Sequence, residues 1–596
     1  MCGIFGYVGE KNPVEVCIQA LKLLEYRGYD SSGFAGIEEG QVRFCKEAGK
    51  LSNLEKEAAL RPLRLANVIG HTRWATHGAI TRENAHPHTD EQRAVALVHN
   101  GIIENYAELK AELEQEGVRF SSETDTEVIA QLIARAYQGS LVEAVHSVMG
   151  KLRGHFAIAA IHKNHPGEIV GSACECPLSI GTASGEAQLC SDPNAFIGGK
   201  IAVRFLKKGE IVRVTKGRAE IFDAALHAVE RPPVVLDGET KPLSKEGYAH
   251  FMLKEIFEQP QVIQRALLGR IDGERIVLEE AGFSLAPFRR FLFIGCGTSY
   301  HAGLLGTYLF QDLAGLGASC EIASEARYRS LVTEERMLAV AVSQSGETAD
   351  TLAAVRVLQE QKIPVLGICN VKNSTLTREG NGCIFMQAGP EVSVCSTKAF
   401  LSQLALITLL ALRYSPSPTP LTRALISLPD QIGEVLEQSD AIARIAERYA
   451  HYPHFFFIGR QYMYGAALES ALKLKEISYI NANAYPGGEL KHGPLALIHS
   501  QFPVAAFCAN KKTEEKIVSN IMEVKARGAP VIAFAPRSAS HLGKIADDAI
   551  WLPDLPDPLA PFASAVAGQL FAYHVARLLG RDIDQPLNLA KSVTVE

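Results

Sequence analysis

The chain begins Met1-Cys2-Gly3-Ile4-Phe5-Gly6, so removal of Met1 would leave a thiol and a free α-amine on one residue, Cys2. A terminal amine titrates at about 7.7–8.0 and a thiol near 8.5, so the amine can act as the base that activates its own side chain. The small residue at position 2 is compatible with that removal. An early cysteine is not specific by itself, and the reading depends on what converges on it.

Three polar clusters are suited to do so. His71-Thr72-Arg73-Trp74-Ala75-Thr76-His77-Gly78 supplies an arginine whose planar fork matches a carboxylate. His99-Asn100-Gly101 supplies a side-chain amide and a backbone N–H, two donors for an oxyanion. Thr124-Asp125-Thr126-Glu127 places Asp125 where it could hold a substrate ammonium. Each cluster also has a plainer reading, Asn-Gly as a turn and Thr-Asp-Thr-Glu as a helix cap. Together they supply a nucleophile, an oxyanion stabiliser and partners for both ends of an α-amino acid.

The second half carries different chemistry. An apolar run over Met337–Val342 leads into Ser343-Gln344-Ser345-Gly346-Glu347-Thr348 and a helix-compatible stretch, 349–361. Strand, hydroxyl-rich turn and helix start make a phosphate cradle, because N–H groups, hydroxyls and the helix dipole all favour an anion. A helix cap is the alternative. The Gly-Lys-Ser/Thr of nucleotide loops is missing, which disfavours ATP. Gly295-Cys296-Gly297-Thr298-Ser299 repeats the strand–turn–helix pattern but lacks the third glycine of a dinucleotide site. Lys473 and Glu476 are three apart on a helical stretch and share a face, either as a surface ion pair or as a charge grip with a carboxylate base. His492, in Gly488-Glu489-Leu490-Lys491-His492-Gly493-Pro494, is a candidate acid–base for ring opening. Lys591, in a mostly uncharged terminal segment, is either solvated or a Schiff-base lysine for a ketose.

These residues need elements to position them. At 596 residues the chain is too long for one core. Its 60 basic and 66 acidic groups, net −6, give no general attraction to nucleic acid or anionic membrane. No stretch reaches the roughly 18 apolar residues of a spanning helix; Leu401–Leu412, interrupted by Ser402 and Gln403, reads as a buried helix. No signal peptide opens the chain, so a cytoplasmic location is expected. The twelve cysteines contain no C-x-x-C pair, and the Cys174/Cys176 spacing does not make a zinc site.

Residues 1 to about 225 mix short β-like runs, 94–98, 156–161 and 211–214, with helical stretches, which predicts an α+β domain of layered sheets. Proline and polar residues from Val229 to Ser244 read as a linker. Beyond it, Phe291-Leu292-Phe293-Ile294-Gly295 is echoed by Phe455-Phe456-Phe457-Ile458-Gly459, and further apolar runs (365–369, 504–507, 531–534) alternate with helices. Two tandem α/β doubly wound domains follow. The expected boundaries are 2–228, a linker at 229–246, domains at 247–430 and 431–587, and a tail at 588–596.

Cys2-Gly3-Ile4, Tyr26 to Asp30, His71 to Gly78, His99-Asn100-Gly101 and Ser122 to Glu127 resemble the class II glutamine amidotransferases. The resemblance implies an N-terminal-nucleophile hydrolase domain with αββα layers, in which Cys2 attacks the glutamine amide and releases ammonia. Asn100 and Gly101 would form the oxyanion hole, Arg73 would bind the glutamine carboxylate and Asp125 its α-amine. Trp74 would gate the ammonia path, with Thr76 and His77 lining the same loop. Arg27 would support the pocket rather than perform chemistry.

Cys-Gly-Thr-Ser, Ser-Gln-Ser-Gly-Glu-Thr, Ser396-Thr397-Lys398-Ala399-Phe400, Leu-Lys-Leu-Lys-Glu-Ile-Ser, Glu-Leu-Lys-His-Gly-Pro and the terminal Ala-Lys-Ser-Val-Thr-Val-Glu appear in the order found in the glutamine–fructose-6-phosphate aminotransferase family, which the chain resembles over nearly its whole length. The resemblance implies two sugar isomerase (SIS) domains and conversion of glutamine and fructose 6-phosphate to glutamate and glucosamine 6-phosphate, the first step of hexosamine and UDP-N-acetylglucosamine synthesis. Ser343, Gln344, Ser345 and Thr348 would hold the phosphate, with Thr298, Ser299, Ser396 and Lys473 near the sugar. Lys591 would engage the keto carbon, His492 would open the ring and Glu476 would shuttle the C1–C2 proton.

By the same resemblance His492 serves a neighbouring subunit's site, implying a homodimer, and no metal, nucleotide or organic cofactor is implied. Arg460–Tyr464 and Tyr485–Gly488 look unusual against the family pattern. The long glutaminase insertion of eukaryotic members is missing, so feedback by a nucleotide sugar is not expected. A glutamine-independent sugar-phosphate deaminase or isomerase, a sugar-phosphate sensor and an amidotransferase with another acceptor are the rivals. The complete Cys2 constellation opposes the first, the lack of a basic helix-turn-helix segment the second, and the phosphate cradle without an ATP loop the third.

Overall fold

Alternation of inward and outward apolar residues sets the first part of the chain. In the strand Gly3–Val8, Ile4 and Val8 belong to one core and Phe5 and Tyr7 to another. In Val95–Gly101, Ala96 and Val98 share the core of Ile4, whereas Val95 and Leu97 face a third. A strand whose two faces are both apolar must be covered on both sides.

The computed structural model describes residues 2–237 and 244–594. The chain divides into two units, 1–243 with 592–596, and 244–591.

In the first unit an eight-stranded antiparallel sheet runs, edge to edge, Val234–Asp237, Lys200–Phe205, Ser179–Ala183, Glu186–Cys190, Gly3–Val8, Val68–Arg73, Ser31–Glu38, Gln41–Ala48. A seven-stranded sheet runs Ala228–Val229, Arg218–Phe222, Ile211–Thr215, Ile169–Cys174, Phe156–His162, Val95–Gly101, His88–Thr89. The sheets enclose a core of Ile4, Ile69, Val98, Ile161 and Ile180. Helices Pro13–Leu24 and Leu51–Leu60 pack on the outer face of the first sheet, and Tyr106–Gln115, Asp125–Ala136 and Leu141–Met149 on that of the second, which completes four αββα layers. Helix Pro13–Leu24 starts where its sequence dictates: Asn12 Oδ1 accepts Val14 N–H at 3.1 Å, and Pro13 occupies the first turn.

The stretch 229–246, expected as a linker, contributes Val229 and Val234–Asp237 to these sheets. Two prolines remove donors, but β-branched Val234 and Val235 still pair along an edge strand, where missing donors are tolerated. Residues 238–243 of that stretch, 595–596 of the expected tail and Met1 lie outside the described residues.

The second unit holds two five-stranded parallel sheets. The first is ordered Gly317–Ile322, Arg290–Gly295, Met337–Ser343, Val365–Cys369, Gly382–Phe385. The second is ordered Asn481–Pro486, His454–Gly459, Val504–Phe507, Val531–Pro536, Asp548–Leu552. One core runs through both, from Phe291 and Phe293 by way of the wholly buried helix Lys398–Leu412 to Phe455, Phe457 and Phe571. The repeat read from sequence is present in the backbone as well. Gly297 and Gln461, each two residues past its strand, have φ/ψ of 52/−125° and 52/−123° and open the helices Thr298–Leu309 and Tyr462–Ser478. Among the described residues no helix is long and apolar enough to cross a membrane.

Candidate active sites

Cys2 sits just before the strand Gly3–Val8, whose register pairs Gly3 with Thr72 and so sets Cys2 beside Arg73 and Trp74. Trp74 N–H donates to Cys2 Sγ at 3.3 Å. Asn100, at the end of Val95–Gly101 in the opposite sheet, donates from Nδ2 to Cys2 O at 3.1 Å. A small recess is lined by Cys2, Arg73, Trp74, Thr76, His77, Gly101 and Asp125 together with His86, His99, Thr124 and Thr126. Burial pushes the Cys2 thiol up, against the pull of nearby positive charge, so the thiolate requires a base.

The geometry around this recess is fixed by backbone. Arg73 Nη2 donates to His77 O at 2.5 Å and Nη1 to Ala79 O at 3.3 Å, which folds the 74–79 loop around the guanidinium. Asp125 Oδ2, in the first turn of its helix, accepts Ile103 N–H at 2.9 Å. Gly101 has φ +124°, and a Cβ there would lie 2.1 Å from His155 O, so no other residue fits. Trp74 packs edge-on against Tyr29, with ring centroids 6.4 Å apart. Arg27 is not among the lining residues and forms a buried pair with Asp192 at 2.9 Å.

In the second unit the helix Tyr462–Ser478 presents Glu469, Lys473 and Glu476 on one face. Lys473 is fully buried rather than superficial, and its Nζ lies 3.3 Å from Glu469 and 2.8 Å from Glu476. Nζ also donates to Thr298 Oγ1 at 3.0 Å, and Thr298 donates to Glu469 Oε1 at 3.0 Å. His301 Nδ1 closes the cluster on Glu469 Oε2 at 2.8 Å. Burial disfavours charge on Lys473, but Cys395, Glu469 and Glu476 outweigh it and hold its ammonium well above the usual value. Burial likewise pushes Glu469 up, and Lys473 and His301 bring it below the usual carboxylate range. Glu476, partly exposed, accepts from the Cys395 thiol at 2.9 Å. Ser299 Oγ is held by Gln403 Nε2 at 3.0 Å.

The 343–348 turn follows its strand as read from sequence. Ser343 Oγ accepts Gly346 N–H at 3.0 Å and lies 3.3 Å from Thr348 Oγ1; Ser345 Oγ accepts Glu347 N–H at 3.2 Å. Gly346 has φ +66°, and a Cβ would come within 2.1 Å of Ser374 Oγ. Gln344 anchors the turn through its carbonyl, which accepts Asn370 N–H at 3.1 Å. Lys591 Nζ lies 2.5 Å from Glu391 Oε2, which Ser396 Oγ also reaches at 3.1 Å. His492 is exposed on the turn Gly487–His492, and among the described residues no hydrogen bond or ion pair joins it to Lys473, Glu476 or Lys591.

Sequence reasoning did not single out Glu391, Glu469, His301, Gln403 or Glu255. The i, i+4, i+7 spacing of Glu469, Lys473 and Glu476 was the available signal for the second of these.

The fold and the two sites define a glutamine amidotransferase joined to a pair of sugar isomerase domains. Residues 71–195 match the glutamine amidotransferase domain model, and 284–413 and 449–579 each match the SIS domain model. The chain is 46% identical to glutamine–fructose-6-phosphate aminotransferase (isomerizing) of Thermus thermophilus and 43% identical to that of Aquifex aeolicus, in both cases over 100% of each chain. A solved C-terminal domain of glucosamine-fructose-6-phosphate aminotransferase from Francisella tularensis is 38% identical and superposes with a TM-score of 0.56, covering 58% of this chain and all of that one. The chain belongs to the glutamine–fructose-6-phosphate aminotransferase (isomerizing) family.

Proposed function

We propose that this enzyme converts L-glutamine and D-fructose 6-phosphate to L-glutamate and D-glucosamine 6-phosphate. One observation carries the reading most directly: seven residues expected to serve glutamine, the half-buried Cys2 among them, line one recess.

Once Met1 is removed, the α-amine of Cys2 takes the thiol proton and the thiolate adds to the amide carbon. Asn100 Nδ2 and Gly101 N–H stabilise the oxyanion. Ammonia leaves with the proton held on the amine, and water hydrolyses the thioester. Arg73 holds the substrate carboxylate and Asp125 its ammonium, Thr76 and His77 line the loop, and Trp74 gates departure of ammonia toward the sugar rather than to bulk water.

In the second unit Ser343, Gln344, Ser345 and Thr348 bind the phosphate through hydroxyls, amide and helix start. Thr298, Ser299, Ser396 and Lys473 surround the sugar. Lys591 condenses with the C2 carbonyl, ammonia displaces it, and Glu476 moves a proton from C1 to C2 to leave the aldose. His492 acts on ring opening in the site of a second copy of the chain, which fits its exposure and gives a homodimer. The domains divide near 229–246, and the reaction proceeds in the cytoplasm.

Cys2→Ala tests the division of labour. It is expected to abolish glutamine-dependent synthesis while calorimetric fructose 6-phosphate binding is unchanged; loss of sugar binding would contradict the reading.

A further inference from the structure

Lys591 does not stand ready as a nucleophile. Its Nζ lies 2.5 Å from Glu391 Oε2, with the side chains 3% and 0% exposed. An ammonium in an ion pair has no lone pair to give a carbonyl. The base that frees the amine must reach Nζ inside this closed pair, and Glu391 already touches it.

Glu391 is held rigidly. Oε1 accepts Thr397 N–H and Ala399 N–H, both at 3.0 Å, at the start of the helix Lys398–Leu412. Oε2 accepts from Ser396 Oγ as well as from Lys591. Behind it, Glu255 (2% exposed) accepts Val392 N–H at 2.5 Å and Ser393 N–H at 3.2 Å, fixing the two residues that follow Glu391.

We infer that Glu391 is the proton carrier for Lys591. It takes one ammonium proton, and the neutral amine adds to the C2 carbonyl of the open-chain ketose phosphate. It then returns that proton to the carbinolamine hydroxyl, which leaves as water while the C=N bond forms. The balance closes within the pair: an ammonium and a ketone become a protonated imine and water, and Glu391 ends as the carboxylate it began as.

The electrostatics favour this exchange. Burial pushes Glu391 up, and the Lys591 charge with its hydrogen bonds holds it down. Moving the proton cancels the Lys591 charge and leaves burial opposed only by hydrogen bonds such as those from Thr397 and Ala399 N–H, so the carboxylate gains affinity for the proton as it arrives. Burial and the neighbouring Glu391 push Glu255 up, which disfavours a second negative charge beside the pair.

The inference rests on the reading of Lys591 as the imine-forming residue, and one experiment separates the two. Wild-type protein, Glu391→Gln and Glu391→Asp are mixed with fructose 6-phosphate and quenched with borohydride at timed intervals. The reduced adduct on the Lys591 peptide is followed by mass spectrometry, and sugar affinity by calorimetry. At saturating sugar Glu391→Gln is expected to form the adduct about 100-fold more slowly or worse, with affinity little changed and most of the rate restored in Glu391→Asp. Equal rates in wild type and Glu391→Gln, an Asp variant no faster than Gln, or loss of sugar binding in both variants would overturn the role of Glu391 alone. No adduct in wild type would overturn the reading of Lys591, and the inference with it.

Discussion

His71 sets the orientation of Asn100. Its Nε2 lies 2.9 Å from His99 O and 3.1 Å from Asn100 Oδ1. Since His99 O can only accept, Nε2 carries the proton, and the amide of Asn100 turns its oxygen toward His71 and its NH₂ toward Cys2. The donor needed for an oxyanion is thus fixed by a histidine rather than by the active-site loop.

Asn100→Ala should therefore lower the kcat for glutamate release by about 10²–10³, the usual loss of one oxyanion donor. KM for glutamine should change little, because Arg73 and Asp125 remain to bind the substrate ends. A rise in KM with kcat preserved would place Asn100 in ground-state binding instead.

The same histidines make the first unit sensitive to acid. Burial lowers His71 to about 3 and holds His86, His88 and His99 below the usual value as well. The unfolded chain takes up these protons near pH 6.5 and the folded chain does not, so stability is complete above pH 6.5 and falls as pH drops toward 3. His71 alone contributes a slope of about 1.4 kcal/mol per pH unit. A Trp551→Phe variant leaves Trp74 as the sole tryptophan, and its urea midpoint should fall steadily between pH 6.5 and 5. A flat midpoint would mean that these rings are already charged in the folded protein.

Lys473→Met would strand Glu469, which is fully buried, without its cation. Removing one partner of such a pair costs about 3–5 kcal/mol, and adding Glu469→Gln should recover much of it. Urea unfolding of the single and double variants, followed at Trp551, measures both. If the single variant lost less than about 1 kcal/mol, the cluster would not be the buried ion network described.

Much of this arrangement is legible in the sequence because parallel strands buried on both faces leave uninterrupted apolar runs. Phe291–Ile294 and Phe455–Ile458 mark interior strands of the two sheets in this way, and each ends at a glycine three residues before its helix. Cys2, Arg73, Asn100 and Asp125 are legible because each lies in a short cluster whose chemistry is complementary to the others. Glu469 and Glu391 are not, because a carboxylate becomes a site residue only through burial by distant chain. Glu469 meets Thr298 and His301 across 171 and 168 residues, and Glu391 meets Lys591 across 200. The strand inside 229–246 is hidden for a related reason: the prolines and polar residues there carry the local signal of a linker, whereas Val234–Asp237 is held by pairing with Lys200–Val203, more than 30 residues earlier in the chain.

The central claim is that nitrogen released at Cys2 is the nitrogen installed on the sugar. Incubation with amide-¹⁵N glutamine, fructose 6-phosphate and excess unlabelled ammonium, followed by mass spectrometry of the hexosamine product, tests it directly. The account predicts ¹⁵N-labelled glucosamine 6-phosphate despite the competing ammonium. Glutamate formed without labelled hexosamine would contradict it.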